Sequence, residues 1–289
     1  MSTKCPEVLS AENLSHGWGK IFCRLMEPGS KALQPILLSI SGFTDGKASE
    51  DVAIRGAVDT ALSATGKYSC AVSAMTIFPY KHWLRQNHPP RQELFEWYLN
   101  QILPRLKARD RRNCSGTYFE RMISFQGAKR VRRNLEPASK NQLEHIIAVW
   151  QRDAAKHSRP RHSALQVSCF DPVKDHTGQK LRGFPCLQQV SFGYDDEGGL
   201  AVSAFYPTQY IFDRAYGNYL GLANLGEFMA HEMGLRMTRL NCFIAHPELG
   251  NGVTKESLRD LERLVRERMA MTDGKACALE AVAAVSAGA

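Results

Sequence analysis

No two of the eight cysteines form a CxxC pair, and no run of apolar residues approaches the ~18 needed to span a bilayer. The first absence argues against a zinc ribbon or a dithiol redox motif, and the second against a transmembrane helix. No apolar stretch follows the N-terminus as a signal peptide would require, so a reduced, cytoplasmic protein is expected. His157, His162 and Cys169 match no standard zinc spacing, and no metal is expected. The net charge of +8 is dense at Lys107–Arg112 and Lys129–Arg133, yet no recognised nucleic-acid motif accompanies these runs. A solvated face or a pocket for a small anion explains them better than a basic module that binds nucleic acid.

What is present is enough apolar material for a large core: 289 residues at 44% hydrophobic content fit one domain over 1–289, with 270–289 as a mobile tail. Residues 1–30 show weak periodicity and read as an irregular or short-strand lead-in. Gln34–Gly42 suits a buried strand. Ser49–Ser63 carries Ile54, Val58 and Leu62 on one helix face, ended by Gly66. Tyr68–Phe78 is rich in β-formers, and Arg91–Lys107 is a helix that Pro104 should kink. Asn113–Arg121 reads as a loop into a strand. Ser139 to Gln142 forms a capping box for a helix with Leu143, Ile146, Ile147 and Trp150 on one face. Leu165–Phe170 reads as a strand and Asp171–Lys180 as a loop.

The stretch Arg182–Phe192 sets a cysteine directly after a proline at the start of an alternating run. Period-2 geometry puts Cys186, Gln188, Val190 and Phe192 on one face. Asp195–Gly199 supplies a turn, and Leu200–Tyr206 returns as the second strand of a hairpin. Further on, Asn218 precedes a stripe of Tyr219, Leu222, Leu225, Met229 and Met233, which places it as a helix cap. Leu240–Ala245 is a strand-like run closed by His246.

This order resembles thymidylate synthase and its pyrimidine hydroxymethylase relatives, in which a Pro-Cys nucleophile precedes a base-reading Asn and a later Ala-His. The intervals here are 32 residues from Cys186 to Asn218 and 60 to His246, and the likeness is clearest over 160–250. It implies an α/β fold with a large mixed sheet packed against helices, a homodimer, and a small pyrimidine-like substrate. It also implies transfer of a methyl or hydroxymethyl group from 5,10-methylenetetrahydrofolate. In that chemistry a thiolate adds to the ring, which then attacks a one-carbon electrophile. The candidate catalytic residues are Cys186, Glu144 and His246. Asn218, Arg121, Arg161, Arg182 and Gln188 are candidates for substrate binding, with Arg182 as the cation that ionises Cys186. Each has an ordinary alternative: a buried small hydrophobe for Cys186, a surface carboxylate for Glu144, a cap for Asn218, a structural histidine for His246.

Several positions depart from the family. Pro207-Thr208 stands where a phosphate-binding Arg-Ser is expected, Ser163 and Ala164 replace paired arginines, and Leu187, Ser191 and Glu248 replace His, Gln and Tyr. The expected ligand is therefore an unphosphorylated ring, or one whose anion is held by Arg111, Arg112, Arg121, Arg159 or Arg161. A catalytically altered member that binds a nucleotide-like ligand is the alternative.

Overall fold

The computed structural model describes residues 6–29, 35–131, 134–176, 178 and 185–272. Chain from both termini meets in one six-stranded mixed sheet. The lead-in forms strand β1 (Glu7–Ala11) and helix α1 (Leu14–Met26), so the expectation of irregular structure there fails. Asn13 caps α1 by accepting from His16 N at 2.8 Å, and Leu14, Trp18, Ile21, Phe22 and Leu25 recur at helical spacing. Gly17 serves as a contact point rather than a breaker. A Cβ there would stand 2.8 Å from Ile40 Cδ1, so the helix lies close on the sheet.

β2 (Ile36–Ile40) is the buried strand expected, and a small hairpin of β3 (Phe43–Thr44) and β4 (Lys47–Ala48) follows. α2 (Val52–Ala64) is capped by Asp51. The β-formers of 68–78 instead make α3 (Cys70–Met75), because Ser69 caps it and Cys70, Ser73 and Ala74 bury one helical face. α4 (Tyr80–Arg85) comes next. α5 (Arg91–Trp97) runs through a π turn at Tyr98–Ile102 into α6 (Leu103–Arg109), and this wider turn sits immediately before Pro104, in the first turn of α6. The expected loop at 113–121 is a 3-10 turn leading into α7 (Tyr118–Ile123).

β5 (Phe125–Val131) and β6 (Asn134–Lys140) pair as a separate hairpin that takes up much of the second basic run. Ser139 lies in β6, opposite Gln126. Asn141 caps α8 (Gln142–Ala154) instead, accepting from Glu144 N at 2.9 Å, while the apolar face over Leu143–Trp150 is buried as expected. β7 (Gln166–Ser168) and the short α9 (Pro172–Asp175), which replaces an expected loop, lead to the hairpin of β8 (Gln189–Tyr194) and β9 (Gly199–Tyr210). Asp195 closes that hairpin by accepting from Glu197 N and Gly199 N at 2.9 and 2.6 Å. A π turn at Ile211–Ala215 opens directly into α10 (Tyr216–Met233). Gly234 ends that helix at φ 66°, β10 (Arg236–Glu248) follows, and α11 spans 259–272. No described helix is long and apolar enough to cross a membrane.

The strand order is β1-β2-β10-β9-β8-β7, with β1–β2 and β10–β9 parallel and the other pairs antiparallel. α10 lies on the same face as α1. A Cβ at Gly226 would come within 2.5 Å of Met237 Sδ and 2.9 Å of Val202 Cγ2. The opposite face carries a row running Val8, Leu37, Phe243, Phe205 across four strands. Val8 is 71% exposed, and Leu37 and Phe243 are each 39% exposed. Because β9 and β10 are parallel and α10 returns from the end of β9, the start of α10 and the ends of β9 and β10 share one end of the sheet. The start of β8 lies there too, since β8 runs antiparallel to β9.

Candidate functional site

That end of the sheet gathers four of the eight candidates, Cys186, Gln188, Asn218 and His246. Cys186 lies three residues ahead of β8, half-buried against the core. Gln188 N donates to Phe205 O at 3.0 Å, so pairing with β9 continues past the strand end. Gln188 and Gln189 both sit against Phe205, so the pairing is irregular just before β8, and Cys186 lies beside the end of β9, where Thr208 is faced by His246 of β10.

Tyr118 and Arg214 both act on the thiol electrostatically. The Tyr118 hydroxyl accepts from the backbone N–H of Leu187, the residue after Cys186, at 3.4 Å. It is the first residue of α7, held by a capping box in which Thr117 Oγ1 accepts from Glu120 N and Glu120 Oε2 accepts from Thr117 N, both at 3.2 Å. Burial pushes the Cys186 thiol above its usual range. The Arg214 cation and the Tyr118 hydroxyl oppose that push, and Glu248 adds to it. Burial outweighs the cation, so the expectation of a resting thiolate is corrected to a protonated thiol beside the group that favours its ionisation. Arg182, the cation expected from sequence, lies outside the described residues.

Asn218 is not a cap. The π turn runs into α10, so Asn218 is the third residue of the helix, four positions after Arg214. It is 3% exposed, and its amide has no hydrogen-bond partner among the described residues. His246 and Glu248 are exposed at the end of β10, and the side chain of half-buried Gln188 is likewise without a hydrogen bond among the described residues.

Two candidates are spent elsewhere. Glu144 receives a forked pair from Arg91 (2.6 and 3.0 Å), and Arg91 also donates to Glu232 at 3.1 Å. Glu232 lies 14 residues beyond Asn218 on α10, about 21 Å along the axis. Glu144 therefore belongs to an ion-pair cluster at the far end of the helix and does not meet Cys186. Arg121 is 7% exposed and gives both terminal nitrogens to Asp175, at 2.5 and 2.8 Å, and to the carbonyls of Cys169 and Ser115. It ties α7 to α9, and breaking such a buried pair costs about 3–5 kcal/mol. Arg161 is exposed ahead of a 3-10 turn at His162–Ala164, with no side-chain partner among the described residues. Nearby Arg159 covers the Tyr194 ring at 5.3 Å.

Sequence reading missed Tyr118 and Arg214. The Thr117-x-x-Glu120 box was visible in the chain and would have put Tyr118 at a helix start. Arg214 carried no signal, because its place depends on a π turn that no periodicity announces. Among the described residues no group of three His, Cys, Asp or Glu side chains is arranged to hold a metal.

The charges around Cys186 set its reactivity. At neutral pH the alkylating species is the minor thiolate fraction, so Arg214→Gln should slow labelling by iodoacetamide and Glu248→Gln should speed it. Each effect should reach up to about tenfold, the equivalent of one pKa unit. Peptide mass spectrometry reads this, with exposed Cys114 as internal control. Unchanged rates in both variants would mean that neither charge acts on the thiol. No family model matches the chain, and no curated protein matches it either.

Proposed function

We propose that this chain is a thymidylate synthase-like transferase, with that family's fold, which adds a one-carbon unit to a pyrimidine or related heterocycle through Cys186. One observation carries the reading: a half-buried thiol on which Tyr118 and Arg214 both act, with Arg214 standing four residues ahead of Asn218, whose buried side chain has no hydrogen-bond partner among the described residues. The thiol loses its proton and its sulfur bonds to the ring carbon conjugated with a carbonyl. The displaced electron pair becomes an enolate whose neighbouring carbon attacks the one-carbon electrophile. That carbon then gives up its hydrogen as a proton, and the electron pair expels the carrier nitrogen to leave an exocyclic methylene. Addition of water to that methylene with expulsion of the thiolate would give a hydroxymethyl ring, and hydride supplied by the reduced carrier in place of water would give a methyl ring. Asn218 suits a uracil-like edge, since its amide both donates and accepts. With Glu144 removed from the site, Tyr118, His246 and Glu248 are the groups available to move protons.

The reduced folate that the resemblance implies supplies the one-carbon unit when bound, and it needs a flat apolar slot. A cavity of about 300 Å³ flanks α10 at Leu220, two residues past Asn218. Phe78, Met75 and the stacked His82–Trp97 pair (3.4 Å between centroids, 9°) form its walls, with Lys81, Asn224, Tyr80 and the Arg55–Glu50 pair as polar groups. Flat apolar walls with an ammonium among the lining groups fit a planar ring carrying an anionic tail. Leu220 stands about 200° around α10 from Asn218, and neither Asn218 nor Cys186 lines this cavity, so a carrier bound there would have to reach round the helix to the thiol.

The homodimer would form through the outward sheet face, where Phe205 and Phe243 stack at 5.7 Å beside exposed Leu37 and Val8. Phe243→Asp should halve the mass measured by light scattering, and an unchanged dimer would move the interface elsewhere.

A second reading is favoured by the raised thiol: a family member that binds a nucleotide-like ring without chemistry. Exchange of the ring hydrogen with solvent separates the two, because exchange needs only thiol addition and proton transfer. Wild type should release tritium from a C5-labelled pyrimidine nucleoside or nucleotide, and folded Cys186→Ala should release none. Release retained by that variant, or absent from wild type across the panel, would leave the binding reading.

A further inference from the structure

Five arginines among the described residues are buried or half-buried: Arg55, Arg91, Arg121, Arg214 and Arg268. Four of them hold carboxylates. Arg55 pairs with Glu50 and Asp59, Arg91 with Glu144 and Glu232, Arg121 with Asp175 and Arg268 with Asp51. Arg214 holds none, and it has no hydrogen-bond partner among the described residues. A guanidinium removed from water without a counter-charge is disfavoured, which is why such groups are normally paired.

Its position is nonetheless constrained. The guanidinium carbon stands 5.5 Å from the centroid of Tyr68, whose hydroxyl donates to Asp110 Oδ2 at 2.9 Å. This cation–ring contact holds the guanidinium in place while none of its N–H groups donates to a described residue. The backbone is held as well. Trp18 Nε1 donates to Ile211 O at 2.7 Å, Phe212 N to Leu249 O at 2.9 Å, and Asp213 pairs with Lys67 at 3.0 Å. Glu248 acts on the same thiol but forms no ion pair with Arg214. The positions where the resemblance leads one to expect arginines hold Pro207, Ser163 and Ala164.

We infer that Arg214, stacked on Tyr68, is the anion subsite of this pocket and binds a phosphate or carboxylate group of the substrate beside Cys186. The substrate is then an anionic heterocycle, and the unphosphorylated neutral ring expected from the missing family arginines is set aside. The inference builds on the Cys186 reading, yet its test does not require turnover.

Inorganic phosphate is the first probe and acetate the second, both at constant ionic strength. An anion on Arg214 cancels the cation that favours the thiolate, so phosphate should slow iodoacetamide labelling of Cys186 by up to about tenfold. Labelling of Cys114 should stay unchanged. Arg214→Gln should label slowly from the start and show no further response, while Arg214→Lys, which keeps charge but loses the fork, should respond weakly. A stronger effect of acetate than of phosphate would assign the subsite to carboxylates. Indifference of wild type to both anions overturns the inference, and so does equal slowing in wild type and Arg214→Gln. Neither result depends on tritium release, so failure here is distinguishable from failure of the transferase reading.

Discussion

The hydrogen bond from the Trp18 indole to the carbonyl of Ile211, 2.7 Å and fully buried, is the constraint on which the site rests. It anchors the first residue of the π turn between β9 and α10. Trp18 itself is locked by stacking on Phe22 at 4.6 Å, and Ser15, one turn earlier on α1, bonds the Tyr216 hydroxyl at 2.7 Å. An N-terminal helix thereby sets the geometry of a turn some two hundred residues away in sequence. With the turn held at Ile211, Phe212, Asp213 and Tyr216, Arg214 is the residue left to project. Asn218 follows on the same helical run. π turns recur at functional sites because one wide turn re-aims side chains that a regular helix would send elsewhere.

At this end of the sheet, burial and polarity oppose each other. Cys186 is pushed up by burial, Arg214 lacks a carboxylate, Asn218 lacks a partner, and the buried hydroxyl of Tyr206 and Oδ1 of Asp213 are also without hydrogen bonds among the described residues. Groups of this kind normally find partners during folding. Large charged groups elsewhere are paired, as the Arg121–Asp175 and Arg91–Glu144 forks show, although the buried Ser73 hydroxyl and Trp83 indole N–H, on α3 and α4, also lack hydrogen bonds among the described residues. What sets this end of the sheet apart is a half-buried guanidinium without a carboxylate acting on a half-buried thiol.

Much of this architecture was legible in the chain. The β8–β9 hairpin follows from alternation and the Asp195 turn, the apolar face of α8 from its spacing, and α10 from a stripe that runs through Met233. Cys186 was found because Pro-Cys opens an alternating run. Other elements were hidden for identifiable reasons. α3 contradicts its β-rich composition because the Ser69 cap and packing decide it. Glu144 looked like a catalytic carboxylate on a suitable helix, and only three-dimensional pairing shows Arg91 holding it. Asn218 looked like a cap because a stripe gives the face of a helix but not its first residue. Arg214 needed the π turn, and its meaning comes from comparison with four other arginines, a pattern that exists only in space.

The central claim is that Cys186 forms a covalent bond to a ring bound by Asn218 and Arg214. A 5-fluorinated pyrimidine tests it directly, since fluorine cannot leave as a cation and the adduct stays on the sulfur once the one-carbon unit has joined the ring. Wild-type protein incubated with reduced folate and a 5-fluoropyrimidine nucleoside or nucleotide should gain the combined mass in denaturing mass spectrometry, at the peptide that contains Cys186. Arg214→Gln should favour the nucleotide less than wild type does. Absence of any adduct, or an adduct that persists in Cys186→Ser, would contradict the account.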